Sequence, residues 1–407
     1  MTEKMRRIIY VWNYREWGGA QIYFLSLMKE AKKSYAVSAL IPADSEAKIM
    51  QYLSAMGVPY DFLPPAPSGV NPLTITAKIS RRWALLKSEN ALVRRLAVDN
   101  DLTGAIIHAD LGFWQSFLPL FRLSLKTHVF MTVHTALPLM HGVRAFLWKL
   151  KGNILSQIRT FHLIASNNDA KAGLRPYVSP ERLEQIQVSY SGFEPEEISE
   201  VIENHPGKQA VLTSYGLPGE LPILVTVGQF IPRKGCWILL DSLGRLKSEG
   251  REFVFLWLAT SAPDEAVMSR IKDLGLHESF RLMAAQDIGE TREQLLTLLS
   301  VADLFVLASL QEGLPIALVE AMALGLACIT TNVNAIPEAV KDRENGRLVD
   351  PDDADSLADV IGELLNDRAQ REALGAAAKK FAFENFDAKI TAERTVKLYD
   401  EVWKSGV

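Results

Sequence analysis

The sequence predicts two successive α/β domains, each built around a parallel sheet. Short apolar runs rich in Ile and Val recur along the 407 residues, and helix-length amphipathic segments separate them. Apolar runs without strict alternation are typical of strands that are buried on both faces of a parallel sheet. The chain is also longer than the usual domain of about 100 to 200 residues, so at least two domains are expected.

Eleven segments have the length and composition of buried strands, five in the first half of the chain and six in the second. They are residues 7–12, 36–41, 105–109, 127–133 and 161–165, followed by 223–227, 253–258, 280–283, 304–307, 327–330 and 347–349. The last predicted element is a helix from about Asp387 to Trp403, because its apolar residues recur at helical spacing.

The domain boundary is predicted within residues 191–222, where Gly and Pro surround a weak helical patch. We therefore assign residues 1–195 to the first domain and residues 196–386 to the second. The two cysteines, Cys236 and Cys328, have no partner at metal-ligand spacing, which argues against a zinc site or a disulfide framework. The N-terminal apolar segment, residues 8–12, is too short to cross a membrane, so we expect a cytoplasmic protein.

The net charge of −4 conceals a strong asymmetry between the two halves. Residues 1–190 hold 23 Lys and Arg against 13 Asp and Glu, and the remainder holds 21 against 35. The basic excess is concentrated in residues 78–95 and 144–151, where cations are mixed with Trp, Phe and Leu at helical spacing. Such helices suit either an anionic membrane surface or the charged outer face of a helix that packs on its own sheet. No nucleic-acid motif accompanies the charge.

The most informative segment follows the strand predicted at residues 304–307. Glu312 precedes Pro315, which is favoured in the first turn of a helix, and Glu320 lies one to two turns further along that helix. The crevice at the carboxyl ends of the strands is the usual ligand position in an open α/β sheet. The backbone amides of Ile316 and Ala317 at the helix start predict an anion site there.

Two glycine-containing segments also follow predicted strands. Residues 228–235 bring the cations Arg233 and Lys234 to the end of the strand at residues 223–227, where they can face a diphosphate. Gly18 and Gly19 follow the first strand, and paired glycines allow close approach of the main chain to a ligand. The sequence thus predicts a site for an anionic, polyhydroxylated ligand.

These segments resemble the retaining, nucleotide-sugar-dependent GT-B enzymes of glycosyltransferase family 4, the group 1 glycosyltransferases. Glu312 and Glu320 form the E-x7-E motif of that family, and residues 228–235 match its Gly-Arg-Leu-x-x-x-Lys-Gly loop. Gly18-Gly19 matches its N-terminal glycine loop, and residues 336–338 match the end of its Gly-Gly-x-Pro-Glu segment. The sequence departs from the pattern at Gln229, at Asn334-Ala335 and at Ser191.

The resemblance implies a GT-B fold, in which two Rossmann-like domains enclose an interdomain cleft. It also implies that the C-terminal helix, residues 387–407, returns to the N-terminal, acceptor-binding domain. The second domain would bind the nucleotide-sugar donor. The expected activity is that of a hexosyltransferase-like enzyme in glycan, glycolipid or cell-envelope polysaccharide synthesis.

The resemblance also implies roles for individual residues. Lys234 and Arg233 would neutralise the donor diphosphate, Glu320 would hold the ribose hydroxyls, and Glu312 and His134 would act at the transferred sugar. The donor-binding set is completed by the residues around the motif and the N-terminal loop: Gly18, Gly19, Gly313, Leu314, Ile316 and Ala317. His108, which also ends a predicted strand, is a weaker candidate for facing the acceptor.

The expected donor is a UDP- or GDP-sugar, and the expected acceptor is a glycan or a lipid-linked molecule, with peripheral contact to an anionic membrane. No metal is predicted, because the Asp-x-Asp pair at residues 99–101 precedes a predicted strand and the pair at residues 353–355 lies in an acidic helix-start loop. Two alternatives remain open at this point. One is a nucleotide-sugar epimerase or sugar phosphorylase of the same architecture, and the other is a non-catalytic protein that binds sugar nucleotides.

Overall fold

The chain forms two compact units in a computed structural model, which describes residues 6–15, 17–63, 75–97, 102, 105–111, 117–259, 265–289 and 291–405. The first unit comprises Met1–Ser191 together with Lys389–Val407, and the second comprises Gly192–Ala388. The sequence analysis placed the boundary at residues 195 and 196, a few residues further along the chain.

The first unit contains a seven-stranded parallel sheet. Its strands are β1 (Arg7–Trp12), β2 (Ala36–Ile41), β3 (Tyr60–Phe62), β4 (Ala105–Asp110), β5 (His128–Val133), β6 (Phe161–Ala165) and β7 (Gln187–Val188). They lie in the order β3-β2-β1-β4-β5-β6-β7, so the chain reverses its direction of travel across the sheet between β1 and β4. Every residue of β4 and β5 is buried, as expected of central strands covered on both faces.

Helices connect these strands. They are α1 (Gly19–Ala31), α2 (Ala47–Ala55), α3 (Ile75–Ala97), α4 (Phe117–Ser124), α5 (Gly142–Gln157), α6 (Asn168–Ala172) and α7 (Pro180–Gln185). Apolar faces of α1 and α2 bury Phe24, Leu27 and Leu53 beside the sheet. Within the described residues, no helix has the length and apolar character needed to cross a membrane.

The second unit contains a six-stranded parallel sheet. Its strands are β8 (Ile223–Val227), β9 (Val254–Ala259), β10 (Phe280–Ala284), β11 (Leu304–Leu307), β12 (Ala327–Thr331) and β13 (Arg347–Val349). The order β10-β9-β8-β11-β12-β13 again reverses, here between β8 and β11. In open α/β sheets, ligands bind outside the carboxyl ends of the strands at such a reversal.

Ten α-helices of the described chain belong to this second unit. They are α8 (Pro195–Glu203), α9 (Lys208–Ser214), α10 (Cys236–Ser248), α11 (Glu265–Asp273), α12 (Ala285–Ile288), α13 (Arg292–Ser300), α14 (Ile316–Leu324), α15 (Ile336–Ala339), α16 (Ala354–Asn366) and α17 (Arg368–Asn385). Leu239 and Leu243 of α10 and Ile361 of α16 share one apolar core with the sheet. Phe255 and Trp257 of β9 are buried in the same core.

The last helix, α18 (Ala388–Ser405), packs with the first unit. The segments that enter and leave the second unit lie side by side, because the Phe193 amide donates to Phe386 O (3.1 Å) and the Ala388 amide donates to Phe193 O (3.0 Å). A Cβ at Gly192 would lie 2.1 Å from Phe386 O. Only glycine therefore permits this close approach of the two segments.

All eleven predicted strands are present, so the predicted class of two parallel α/β domains with a returning C-terminal helix is confirmed. The sequence analysis missed β3 and β7. These strands have three and two residues, lie at opposite edges of the first sheet, and are mostly exposed. Such short edge strands carry no long apolar run, which is why pattern analysis did not detect them.

Candidate active site

Several predicted site residues meet at the strand reversal of the second sheet. The segment after β8 carries Arg233 and Lys234 in a short 3-10 helix, Pro232–Lys234. The segment after neighbouring β11 carries Glu312. Because β8 and β11 are paired in parallel, their carboxyl ends open at the same edge of the sheet. The fold thus brings together two loops that are 78 residues apart in sequence.

Glu312 is the centre of this cluster. Its carboxylate is buried, with Lys234 Nζ 2.5 Å from Oε1 and Arg233 Nη1 3.5 Å from Oε2. Ser309 Oγ donates a further hydrogen bond to Oε1 at 2.8 Å. A buried carboxylate requires such compensation by cations and donors. The arrangement holds two positive charges beside one negative charge, which leaves a net positive cluster.

The position of Lys234 depends on Gly235, the N-cap of α10. Gly235 has a φ of +69°, and a Cβ there would lie 1.8 Å from the Ala308 carbonyl oxygen that follows β11. The Leu310 amide donates to Arg233 O at 2.8 Å, which joins the two loops further. Glycine is therefore required both by the left-handed backbone and by the close contact with the second loop.

Asn334 explains how the loop before α15 accommodates one departure from the family pattern. Its φ is +45°, a left-handed conformation that glycine adopts readily and that Asn tolerates better than most residues. Its side-chain Oδ1 also accepts a hydrogen bond from the Glu312 amide at 3.1 Å. Asn334 therefore keeps a glycine-like backbone conformation and adds a contact that fixes the Glu312 loop.

Helix α14 begins at Ile316, with Pro315 as its N-cap, close to where the sequence predicted it. Its first amides, those of Ile316 and Ala317, lie outside the i→i−4 ladder of the helix and carry the positive end of its dipole. Gly313 and Leu314 connect Glu312 directly to this helix start. The predicted anion-binding segment thus begins immediately beside the Lys234–Glu312 pair.

Glu320 lies one turn inside α14 and is engaged in an ion-pair network. It is buried and pairs with Arg292, whose Nε also lies 2.8 Å from Glu197 Oε2. Burial raises the pKa of Glu320, and the Arg292 guanidinium opposes that shift. For Arg292, burial works against the charge, but Glu320 and Glu197 raise its pKa above the usual range. The sequence analysis missed Arg292, which no motif marks.

His134 lies at the carboxyl end of β5 in the first unit, as predicted. Its Nε2 is 2.9 Å from Asp110 Oδ2, within ion-pair distance although the orientation is not that of a hydrogen bond. The Tyr14 hydroxyl donates to Asp110 Oδ1 at 3.2 Å, and the Tyr23 ring packs edge-on against His134. Asp110 ends β4 at the strand reversal, and the sequence analysis did not identify it as a partner of His134.

Gly18 and Gly19 lie at the start of α1, after β1. Gly18 is the N-cap and has an extended backbone with a φ of −172°. A Cβ at Gly18 would meet only Gln21 Oε1, at an ordinary 3.5 Å. Packing within the described chain therefore does not require glycine at residue 18, and the role of the pair in ligand approach stays a prediction.

His108 has a structural environment that the sequence did not suggest. The side chain is fully buried in β4, with Nδ1 2.5 Å from the Tyr399 hydroxyl of α18 and Nε2 2.7 Å from Thr132 Oγ1. Burial, together with the nearby His134, lowers the pKa of His108 to about 3. Nδ1 thus links the sheet to α18 and Nε2 links β4 to β5, so neither ring nitrogen is free to face an acceptor.

The structure describes only one of the two Asp-x-Asp pairs that the sequence analysis considered as metal sites. Residues 99–101 lie outside the described residues. Asp353 is the N-cap of α16, where its side chain accepts a hydrogen bond from the Ser356 amide at 2.9 Å, as expected of a helix-start loop. Among the described residues, no group of three or more His, Cys, Asp or Glu side chains is placed to hold a metal ion.

A known protein family matches the part of the chain that holds this site. Residues 208–381 match the family model described as glycosyl transferases group 1. The second unit, which holds the Lys234–Glu312 pair and Glu320, therefore carries a domain of the group 1 glycosyl transferases. This finding confirms the family resemblance inferred from the motifs.

Relatives match over somewhat less than half of the chain. The MMP alpha-(1->4)-mannosyltransferase of Mycolicibacterium hassiacum is 31% identical over 180 residues, which cover 44% of this chain and 43% of that protein. The alpha-maltose-1-phosphate synthase of Mycobacterium tuberculosis is 32% identical over 203 residues, covering 47% and 51%. The lipopolysaccharide core biosynthesis glycosyltransferase LpsE of Rhizobium meliloti is 28% identical over 179 residues, covering 43% and 49%. The chain thus matches about half the length of these relatives, whose names do not favour an epimerase.

Solved structures extend the likeness of fold to nearly the whole chain. A glycosyltransferase from Rickettsia africae has a TM-score of 0.77 at 17% identity, covering 99% of this chain and 100% of that one. Anabaena HepE in complex with UDP has a TM-score of 0.72 at 16% identity, covering 97% and 100%. The chain, with its two Rossmann-like α/β units, therefore has the GT-B type of fold.

Proposed function

We propose that this protein is a retaining glycosyltransferase that moves a sugar from a nucleoside diphosphate sugar to an acceptor. The observation that carries the proposal is the buried Glu312 carboxylate, flanked by Lys234 and Arg233 at the strand reversal of a group 1 domain. Retention of anomeric configuration is proposed from the E-x7-E motif that Glu312 and Glu320 form.

The chemistry is proposed to be mainly electrostatic. Negative charge develops on the diphosphate as the bond to the sugar breaks, and preorganised cations beside that position lower the barrier. Lys234, Arg233 and the first amides of α14 supply such positive charge. Glu312 holds Lys234 in place in the free protein and is proposed to contact the transferred sugar, while Glu320 is proposed to bind the ribose.

The donor is proposed to be a UDP- or GDP-sugar. The UDP complex of HepE, a protein of the same fold, supports a uridine donor, and the GDP-mannose-dependent name of a Mycolicibacterium smegmatis relative, 28% identical over 191 residues, supports a guanosine donor. The acceptor is proposed to be a glycan or a lipid-linked molecule, in line with the lipopolysaccharide named for LpsE. Peripheral contact with an anionic membrane would hold the enzyme beside such an acceptor.

A donor screen tests the proposal directly. Thermal shift with UDP- and GDP-sugars identifies the donor, and mass analysis of products then shows whether its sugar is transferred. Lys234→Ala is expected to weaken binding of the matching nucleoside diphosphate by roughly 10- to 100-fold, because it removes a charge-assisted hydrogen bond. Calorimetry measures the change, with Lys247→Ala as the control, since Lys247 pairs with Glu252 on the surface of the same unit.

Unchanged nucleotide affinity in Lys234→Ala would remove Lys234 from the donor site. A wild-type protein that binds donors but neither transfers nor hydrolyses the sugar with any acceptor tested would favour the non-catalytic alternative. These two results are separable, because one concerns the lysine and the other the reaction.

The reaction is also proposed to proceed without a divalent metal, since Lys234, Arg233 and a helix start supply the counter-charge that a metal often provides. Turnover measured after EDTA treatment is expected to equal that of untreated enzyme. Loss of turnover with EDTA and its recovery on adding Mg²⁺ or Mn²⁺ would show that this proposal is wrong.

A further inference from the structure

Helix α5 exposes a continuous apolar face. Five of its side chains are exposed to between 37% and 75%, namely Val143, Phe146, Leu147, Leu150 and Ile154. At about 100° of rotation per residue, these five positions lie within an arc of about 100° on one side of the helix. Leu139, just before the helix, is 73% exposed. An exposed apolar strip of this kind marks an interaction surface.

The strip is distinct from the face that α5 uses to pack. Leu155 and Gly152 are buried, and Leu155 and the partly buried Trp148 pack in the apolar core of the first unit. These residues lie on the opposite side of the helix from Phe146 and Leu150. Helix α5 is therefore apolar on two opposite faces, of which only one packs against the described core.

Cations border the exposed strip. Arg144 and Lys151 lie on one side of it and Lys149 on the other, at helical angles of about 80° to 120° from its centre. Lys151 Nζ lies 5.6 Å from the centroid of the Phe117 ring, so Arg144 and Lys149 are the more exposed of the three. The 58 residues between Asp110 and Asp169 contain six Lys or Arg and no Asp or Glu. The surface around α5 thus combines apolar side chains with positive charge that no acidic residue of this segment offsets.

We propose that this face of α5 inserts into the interface of an anionic lipid bilayer. Apolar side chains on one face of a helix bury in the boundary between headgroups and acyl chains, while flanking lysines and arginines extend their charges to anionic headgroups. The inference assigns the membrane contact of the proposed function to a specific surface, and it rests on that proposal only for its biological purpose.

Charge argues against a second copy of the chain as the occupant. A symmetric pairing of two α5 faces would bring Arg144, Lys149 and Lys151 close to the same cations of the copy, and such like-charge contacts are unfavourable. An anionic bilayer instead matches both the apolar strip and its cationic borders.

Vesicle flotation without nucleotide tests the proposal. The wild-type protein is expected to float with vesicles of phosphatidylcholine and phosphatidylglycerol, and much less with phosphatidylcholine alone. The double variant Phe146→Ser, Leu150→Ser is expected to partition at least about tenfold more weakly, because it removes two large apolar side chains from the interface. Met268→Ser, which changes a similarly exposed apolar residue of α11, is the matched control and is expected to bind like wild type.

The cations are tested separately. Lys149→Gln and Lys151→Gln are each expected to lower the partition coefficient on anionic vesicles about fivefold at low salt, and to reduce its dependence on salt. Neither change should alter partition onto phosphatidylcholine alone. Since the altered side chains are mainly on the surface, unchanged circular dichroism and thermal midpoints are expected.

Several results would overturn the inference. They are a wild-type protein that stays unbound with anionic vesicles, equal partition of wild type and the Phe146→Ser, Leu150→Ser variant, and a concentration-dependent dimer that this variant abolishes. UDP and GDP binding by calorimetry on the same proteins keeps the two proposals apart. Vesicle binding without nucleotide binding would contradict the proposed function alone, and nucleotide binding without vesicle binding would contradict the inference alone.

Discussion

Glu312 and Glu320 occupy different environments, although the motif presents them as a pair. Glu312 contacts Lys234, Arg233 and Ser309 at the mouth of the strand reversal. Glu320 pairs with Arg292, which also pairs with Glu197. Substitution of Glu312, which contacts candidate donor-binding cations, should affect activity. Substitution of Glu320, which lies inside a buried ion-pair network, should also affect stability.

Isosteric substitution is expected to separate the two glutamates. Glu312→Gln should lower kcat and kcat/KM together with little change in nucleotide affinity, since its contact to the sugar is proposed to matter most in the transition state. Glu320→Gln should weaken nucleotide affinity and destabilise the second unit by about 3 kcal/mol, because it leaves Arg292 with only one of its two carboxylates.

Steady-state kinetics, calorimetry and thermal unfolding measure these effects. Glu363→Gln serves as a control, because Glu363 also pairs with a buried arginine, Arg347, in the same unit. Equal kinetic and stability profiles for Glu312→Gln and Glu320→Gln would contradict the separate roles.

At the scale of elements, the site depends on how tightly two loops pack after β8 and β11. Gly235 contacts the Ala308 carbonyl in a left-handed conformation, and Asn334 holds the Glu312 amide from the loop before α15. Three loops thus converge, two through contact between their backbones and the third through the Asn334 side chain. The geometry of Lys234 and Glu312 follows from these contacts as much as from the two side chains themselves.

Gly235→Ala is expected to damage both stability and nucleotide binding. A methyl group would overlap the Ala308 carbonyl oxygen and occupy an unfavourable φ, which together cost roughly 2 to 4 kcal/mol. The displaced loop should also move Lys234 away from Glu312. Thermal unfolding and UDP or GDP calorimetry measure the two effects.

Gly250→Ala is the matched control for the free-energy cost of placing alanine in a left-handed backbone conformation. Gly250 has a φ of +79°, but a Cβ there would meet no atom within 4 Å. Its destabilisation should therefore be smaller, at about 1 kcal/mol, with nucleotide affinity unchanged. Equal losses of stability in the two variants would show that contact with Ala308 does not matter.

At the scale of the whole molecule, the chain continues beyond the second unit to complete the first. Helix α18 contributes Tyr399, whose hydroxyl contacts His108, and Thr395, whose hydroxyl lies 2.8 Å from Ser189 Oγ. These buried polar contacts fix the last helix to the first sheet. The stability of the first unit is therefore expected to depend on a His108 side chain that remains neutral in the folded state.

Stability is expected to fall as the pH drops below about 6.5. Burial lowers the pKa of His108 to about 3, and burial with nearby His128 and Arg182 lowers the pKa of His162 to about 4. Between these values and the unfolded value near 6.5, the unfolded chain binds protons that the folded chain does not. Each histidine should thus remove about 2 kcal/mol between pH 7.5 and pH 5.

Urea unfolding across this pH range measures the effect. His162→Gln should reduce the loss of stability, because glutamine does not titrate, and His277→Gln should leave it unchanged, because His277 is exposed in the second unit. A pH dependence that His162→Gln leaves intact would show that His162 is protonated equally in both states.

The sequence by itself determined the two sheets, the returning C-terminal helix and the identities of most candidate site residues. Buried parallel strands must be apolar along their whole length, and loops that face a ligand must place glycine, cations and carboxylates at set spacings. Both constraints are local, so residues 304–320 alone display a strand, a loop and a helix start in order.

Only the tertiary structure decided which side chains are partners. Arg292 with Glu320, Asn334 with the Glu312 amide and His108 with Tyr399 join residues that are 28, 22 and 291 positions apart. Such pairs form because sheet order and helix packing bring distant segments together, and no local pattern encodes that proximity. The exposed strip of α5 is a further case, because periodicity identified an amphipathic helix but only the packed structure showed which apolar face remains uncovered.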